Sequence, residues 1–435
     1  MEEKKKFQII KTLEDWRWTQ DKEEYFFETS TYCFKNNINN CFDKNNNNQL
    51  TEELAEKILL THYLLYICDR QMDYRYIFKA GGYVISHMVE KYIKECSELE
   101  INWNNIFKIC KKEKSYFLCA PITDDNENEI YKYFKNKARI IDNNGESTTS
   151  KDKYELLFKT KKDNQQYAIF SSRYMLQDIA CMYKTLLYLK ENCDGSFKKL
   201  LKNNSNVICT YDENKKINSE KSLANALFEL TYQGISKILA KDFEKCNSIE
   251  EILDAINKKI ENHKKDSLEK SRYSLKRMWC IIRDFLRHPI FSKCFQLTIN
   301  KTDKEFEEYI KNNYHCIELP GDVWNNNSKF AECFWGKSDK NFKSSKFARE
   351  KYKKNGENWK GCKPIDFDIT FNFVPKMCEV DMCDICPLKE NAKKDEWKNK
   401  LCHEQEGKLC PLALYSCGIK HKCKGDNCIL TEGLQ

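Results

Sequence analysis

SSRYMLQDIACMYKTLLYLKEN, residues 171–192, carries the strongest secondary-structure signal in the chain. Met175, Ile179, Met182, Leu186 and Leu189 recur at three- and four-residue steps, so an α-helix puts all five on one face. A strand would scatter them over both faces. The same periodicity extends outward. Residues 51–67 place Leu54, Ile58, Leu59, Leu65 and Tyr66 at helical spacing, and acidic residues follow Thr51 in the first turn. Residues 69–93 hold two helical stretches punctuated by Gly81-Gly82. Downstream, residues 222–239, 249–261 and 271–288 read as helices, and Pro289 helps to stop the last. With 7 Pro and 13 Gly in 435 residues, the chain favours helices over a turn-rich β architecture. The expected fold class is mainly α.

The organisation expected from this pattern has four parts. Residues 1–50 are polar with scattered aromatics and form an N-terminal cap. Residues 51–335 form a mostly helical core, interrupted by an irregular insert at about 97–165. Within that insert KARIIDNNG, residues 137–145, carries a hairpin-type turn signal. Residues 336–377 form a basic linker or strand segment, and residues 378–430 a cysteine-rich module. No repeat at a fixed period stands out.

A chain of this length can bury a sizeable core, so its 23 Cys are not needed as folding staples. The N-terminus MEEKKKFQIIKTLEDWRW lacks an apolar stretch of signal-peptide length, and no run of 18 apolar residues reads as a membrane span. A reducing, cytoplasmic setting is therefore expected, with no membrane. The charge balance is 74 Lys+Arg against 66 Asp+Glu, or +8, which permits a nucleic-acid partner without demanding one. No protein partner is indicated. Charge is concentrated in GKSDKNFKSSKFAREKYKKNGENWKGCK, residues 336–363, with ten Lys/Arg against three acids. Phe342, Phe347, Tyr352 and Trp359 are interleaved, which is the footprint of a surface that tracks a nucleic-acid strand. The plain alternative is a solvated face. Lys343, Lys346, Arg349 and Lys351 are the candidate phosphate contacts.

From residue 378 the chain reads CEVDMCDICPLKENAKKDEWKNKLCHEQEGKLCPLALYSCGIKHKCKGDNC, with eight Cys in 51 residues. Cys378, Cys383 and Cys386 form C-x4-C-x2-C-P. A two-residue gap lets two thiolates converge on one metal from a tight turn, and the following Pro stiffens the loop. Iron–sulfur and zinc both accept thiolates at these spacings. Cys402 is the candidate fourth ligand. Cys410, Cys417, Cys423 and Cys428 either complete the first centre or form a second. His403 and His421 fit no Cys2His2 pattern and read as surface residues. His62 and His87 lie in apolar helices and read as satisfied core residues. No Walker loop, GxSxG or HExxH occurs.

Three segments together resemble the helix-hairpin-helix DNA glycosylases of the endonuclease-three type. C…C-x2-C-P-L…C near the end of a helical chain is similar to that family's 4Fe-4S loop, although the family spacing is C-x6-C-x2-C-x5-C. ILLTHYLLYICDRQMDYRYIF, residues 58–78, is similar to the helix that opens the glycosylase core. IELPGDVWNNNSKFAECFWGK, residues 317–337, resembles the L-P-G-x-G hairpin, with Leu319, Pro320 and Gly321 matching and Val323 in place of the second Gly.

The resemblance implies a phosphate held by the hairpin and a base flipped from the stack. It also implies an Asp that stabilises the cationic sugar, for which Asp366, Asp368 and Asp322 are candidates. Asn325 and Asn326 stand near the position where bifunctional members place a nucleophilic Lys, so a monofunctional glycosylase is the form implied. Tyr74, Tyr76, Trp279 and Trp324 are candidates to stack the base, with core packing as the alternative. A non-catalytic nucleic-acid-binding or defence protein with a structural metal module is the second reading. A secreted cysteine-rich interaction domain is the third.

Overall fold

The computed structural model describes residues 50–68, 81–97, 101–112, 115–121, 138–141, 155–159, 166–171, 175–209, 222–232, 246, 251–256, 258, 272–320 and 362–368. Helix makes up 75% of what is described, so the mainly α class holds at that level. The chain divides into two compact units. The larger comprises residues 23–274 and 290–306, and the smaller residues 1–22, 275–289 and 307–435.

In the larger unit, α1 (Glu52–Cys68) is the central helix. Its start is fixed by Thr51, whose Oγ1 accepts from the Leu54 N–H at 3.2 Å. Leu59, Leu60, Tyr63, Leu64 and Leu65 are all fully buried, so the helix is covered nearly all round rather than along one stripe. It packs chiefly on α2 (Gly82–Cys96) and on α4 (Met175–Cys193). The five residues expected to share a face of α4 are all buried. The Gly81-Gly82 punctuation marks a close approach. A Cβ on Gly81 would stand 3.0 Å from Leu65 Cδ2 and 3.3 Å from the Phe170 ring.

Buried Glu56 of α1 accepts through Oε1 from the Ser196 hydroxyl at 2.8 Å and from the Lys198 N–H at 2.9 Å. This carboxylate thus satisfies the open amide end of α5 (Phe197–Asn204), where Ser196 also caps Lys199. Gly195 precedes that cap at φ +77°, and its N–H donates to Leu189 O at 2.9 Å to close α4. Helix α6 (Leu223–Tyr232) completes this side of the core.

The region expected to be an irregular insert holds a sheet. After the short α3 (Trp103–Ile106) come β1 (Ile109–Lys112), β2 (Ser115–Pro121), β3 (Ala138–Ile141), β4 (Glu155–Lys159) and β5 (Gln166–Phe170). Their order is β1-β2-β5-β4-β3. The β1–β2, β2–β5 and β5–β4 pairs are antiparallel, with Cys119 opposite Ile169. The β3–β4 pair is parallel, with Arg139 opposite Leu156. That corrects the hairpin expected at 137–145, because a tight turn cannot join parallel neighbours.

Helix α7 (Arg272–Arg287) ends where Pro289 opens α8 (Pro289–Thr298), so that proline both limits one helix and starts the next. Phe291, Cys294 and Phe295 of α8 are buried, and Phe295 meets Phe306 edge-on at 6.2 Å. Helix α9 (Asp303–Asn313) begins at a capping box. The Thr302 N–H donates to Glu305 Oε2 at 2.8 Å and the Glu305 N–H to Thr302 Oγ1 at 3.4 Å. No helix among the described residues is long and apolar enough to cross a membrane. The 11 described cysteines are thiols, nine of them buried, and they pack as small apolar side chains.

Candidate functional site

Two of the three candidate catalytic carboxylates fall within the described residues, in the smaller unit. Where a linker or strand is expected, residues Pro364–Asp366 form a 3-10 turn that runs into helical residues 367–368. Cys362, Ile365 and Phe367 are buried at 1% exposure or less, so this short segment is an anchor rather than an exposed linker.

Asp366 is 6% exposed and Asp368 is 4% exposed, too little for either to line an open cleft. Asp366 Oδ1 accepts from the Tyr314 hydroxyl at 3.0 Å, and Oδ2 from the Lys363 N–H at 2.6 Å. Both oxygens of this carboxylate therefore have protein donors. Asp368 Oδ2 accepts from Arg283 Nη1, a charge-assisted contact between two buried groups. Arg283 also donates through Nε and Nη2 to Asp284 Oδ1, each at 3.1 Å. The Arg287 guanidinium lies 5.5 Å from the centre of the Tyr314 ring.

The result is a buried polar bracket. Helix α7 contributes Arg283, Asp284 and Arg287, the 3-10 turn Tyr314–Cys316 contributes Tyr314, and the 362–368 segment contributes both aspartates. One guanidinium faces two carboxylates in a site nearly closed to water. Charges are retained in such a place only when paired, because desolvating either sign alone costs several kcal/mol. The chemistry this arrangement performs is fixation: it ties a short segment to a helix. A glycosylase carboxylate needs an oxygen turned toward a sugar, and neither oxygen of Asp366 is spare for that. The partners that decide this, Arg283, Asp284 and Tyr314, stand in no motif that would single them out in the sequence.

Leu319 and Pro320 are buried, and residues 317–320 leave the 3-10 turn without regular structure. Gly321 and Asp322 lie outside the described residues, as do Lys343, Lys346, Arg349 and Lys351. So do Cys378, Cys383, Cys386, Cys402, Cys410, Cys417, Cys423 and Cys428. Trp279 is 3% exposed in α7, which fits core packing and not base stacking; Tyr74, Tyr76 and Trp324 are outside the described set. Among the described residues no group of His, Cys, Asp and Glu is placed to hold a metal ion.

His62 is a core residue as expected, stacked on Phe291 at 3.7 Å and edge-on to Tyr66 at 4.9 Å. His87 departs from expectation: its Nε2 is shielded from solvent yet has no hydrogen-bond partner. Burial first, and then the charges of Lys91 and Lys108, push its pKa down to about 4.

No protein-family model, no curated protein and no solved structure matches this chain.

Proposed function

We propose that this chain is a nucleic-acid-binding protein whose C-terminal cysteines hold a metal centre, and that its described carboxylates serve architecture and not base excision. The observation that carries the non-catalytic reading is the bracket, in which Asp366 and Asp368 accept from Tyr314, Lys363 and Arg283. Binding is supported by the run of ten Lys/Arg against three acids at residues 336–363, with aromatic residues interleaved.

The test is a binding titration against duplex and single-stranded DNA across salt. Lysine and arginine release condensed counterions from phosphates, so affinity should fall steeply as salt rises. Converting Lys343, Lys346, Arg349 and Lys351 to Glu should weaken binding and lower the log–log salt slope by about 0.7–0.9 for each phosphate no longer neutralised. Unchanged affinity and slope would reduce the basic stretch to a solvated face and remove the proposal. Release of a modified base would restore the excision reading, with Asp322 as its carboxylate if Asp322→Asn abolished that release.

For the metal, the donor set is thiolate: Cys378, Cys383, Cys386 and Cys402, with Cys410, Cys417, Cys423 and Cys428 available to the same or a second centre. Soft thiolates suit a 4Fe-4S cluster or zinc. Protein purified without oxygen should be brown and contain iron. Cys383→Ser and Cys386→Ser should each lose the metal, because a chelating pair fails when one arm goes. Stoichiometric zinc without iron would replace the cluster with a zinc module, and metal-free protein would remove the centre.

A further inference from the structure

The larger unit carries a cationic cluster that the nucleic-acid reading does not use. Helix α2 presents Tyr83, His87, Lys91 and Glu95 at four-residue intervals, which places them along one face. Both ends of that face are tied down. The Tyr83 hydroxyl donates to Pro121 O at 2.8 Å, at the end of β2, and Glu95 Oε2 accepts from the Asn102 N–H at 2.7 Å. Between these ties β2 brings up Cys119, whose N–H donates to Lys108 O at 3.0 Å. The Lys108 ammonium is itself held, donating to the Tyr167 hydroxyl of β5 at 2.8 Å.

His87, Lys91 and Lys108 therefore gather at the middle of one helix–sheet seam. The acid nearest to Lys91 on α2 is Glu95, and its Oε2 is already engaged by the Asn102 amide. The Lys91 ammonium is disfavoured by burial and then by Lys108, while Glu95 and Cys119 favour it only in part. Nothing in the core requires two lysines and a histidine with an unanswered Nε2 to meet there. A fold keeps like charges together at a cost in stability, and such clusters mark sites that a counter-charge completes.

We propose that this seam is an oxyanion site, taking a phosphate-class anion between His87 Nε2, Lys91 Nζ and Lys108 Nζ. Two ammonium groups match a dianion, which a phosphate or phosphomonoester supplies and a carboxylate does not. A protonated His87 adds a third donor once the anion is present. This site is independent of the nucleic-acid reading, which rests on residues 336–363.

The experiment follows the His87 imidazole by NMR in the full-length protein with labelled histidine, the signal being assigned by its loss in His87→Gln. Saturating inorganic phosphate in place of chloride should raise the His87 titration midpoint by about one unit or more, a tenfold gain in proton affinity. Lys91→Gln and Lys108→Gln should each weaken phosphate binding roughly tenfold. Lys108 has an exposed side, so its variant is the one least able to disturb the fold. A midpoint identical in phosphate and chloride overturns the site, as does phosphate binding indifferent to both lysine variants. A shift produced by an oligonucleotide and not by inorganic phosphate assigns the same site to a backbone phosphodiester. A shift with phosphate alone assigns it to a small phosphorylated ligand.

Discussion

Replacing Arg283 with Met should destabilise the smaller unit by about 3–5 kcal/mol, the largest single-residue effect expected in this protein. The guanidinium is 2% exposed and faces Asp284 and Asp368, themselves 0% and 4% exposed. Methionine fills much of the volume but leaves two carboxylates without their cation in a place water barely reaches. The measurement is amide hydrogen exchange across residues 275–289 and 362–368, which reads local opening without assuming that both units unfold together. Protection should drop in both segments at once, since Arg283 joins them. Adding Asp368→Asn to Arg283→Met should recover part of the loss, because it removes one of the two stranded charges. A change below about 1 kcal/mol would mean the bracket is wet and weak, as exposed pairs are.

The same variants separate architecture from catalysis. If Asp368 serves only the bracket, Asp368→Asn loses protection around α7 and any loss of DNA binding follows that opening. A catalytic carboxylate would behave in the opposite way, because its charge matters most at the transition state. The fold would then stay protected while chemistry vanished.

How much of this is legible in the sequence depends on whether the signal is local. Met175, Ile179, Met182, Leu186 and Leu189 announce α4 because an amphipathic helix writes its period into one contiguous stretch. The sheet is not legible. Strands such as ICKK, ARII and ELLFK are four or five residues long, too short to establish a period. In β2, Leu118, Cys119 and Ala120 are all buried, so alternation between an inner and an outer face disappears. Helix α9 lies outside the expected helices, although Thr302-x-x-Glu305 is a capping-box pattern that marks its start.

The candidate site fails differently. Asp366 and Asp368 stand out in sequence as acids among apolar neighbours, but Arg283 lies 85 residues from Asp368, and a pairing at that separation leaves no trace in either segment. Whether such a carboxylate is held or exposed is decided by tertiary packing.

His87 supplies the second large effect, and its sign follows from the direction of its shift. Burial, then Lys91 and Lys108, bring its folded-state pKa to about 4, whereas an unfolded chain titrates near the ordinary histidine value of about 6.5. Between those two values the unfolded chain binds a proton that the folded one refuses, so stability falls as pH drops from about 6.5 toward 4. Above that window the contribution is constant, and below it no more is lost through this residue. The full shift corresponds to roughly 3 kcal/mol, and because His87 is only partly buried, solvent screening reduces the expected loss to about 2 kcal/mol.

His315 is also shifted down, by burial and then Lys363, and acts in the same direction, so the total slope is not diagnostic. The difference between wild type and His87→Gln is. In chloride, urea midpoints for wild type should fall across that window by more than those for His87→Gln, since glutamine takes no proton. Depressed carboxylates such as Glu53, whose partner is Lys57, contribute below about 4.5 and leave the upper half of the window to histidine. Parallel pH profiles for the two proteins would show that His87 exchanges its proton as freely when folded as when unfolded. The seam between α2 and the sheet would then carry no unrelieved positive charge.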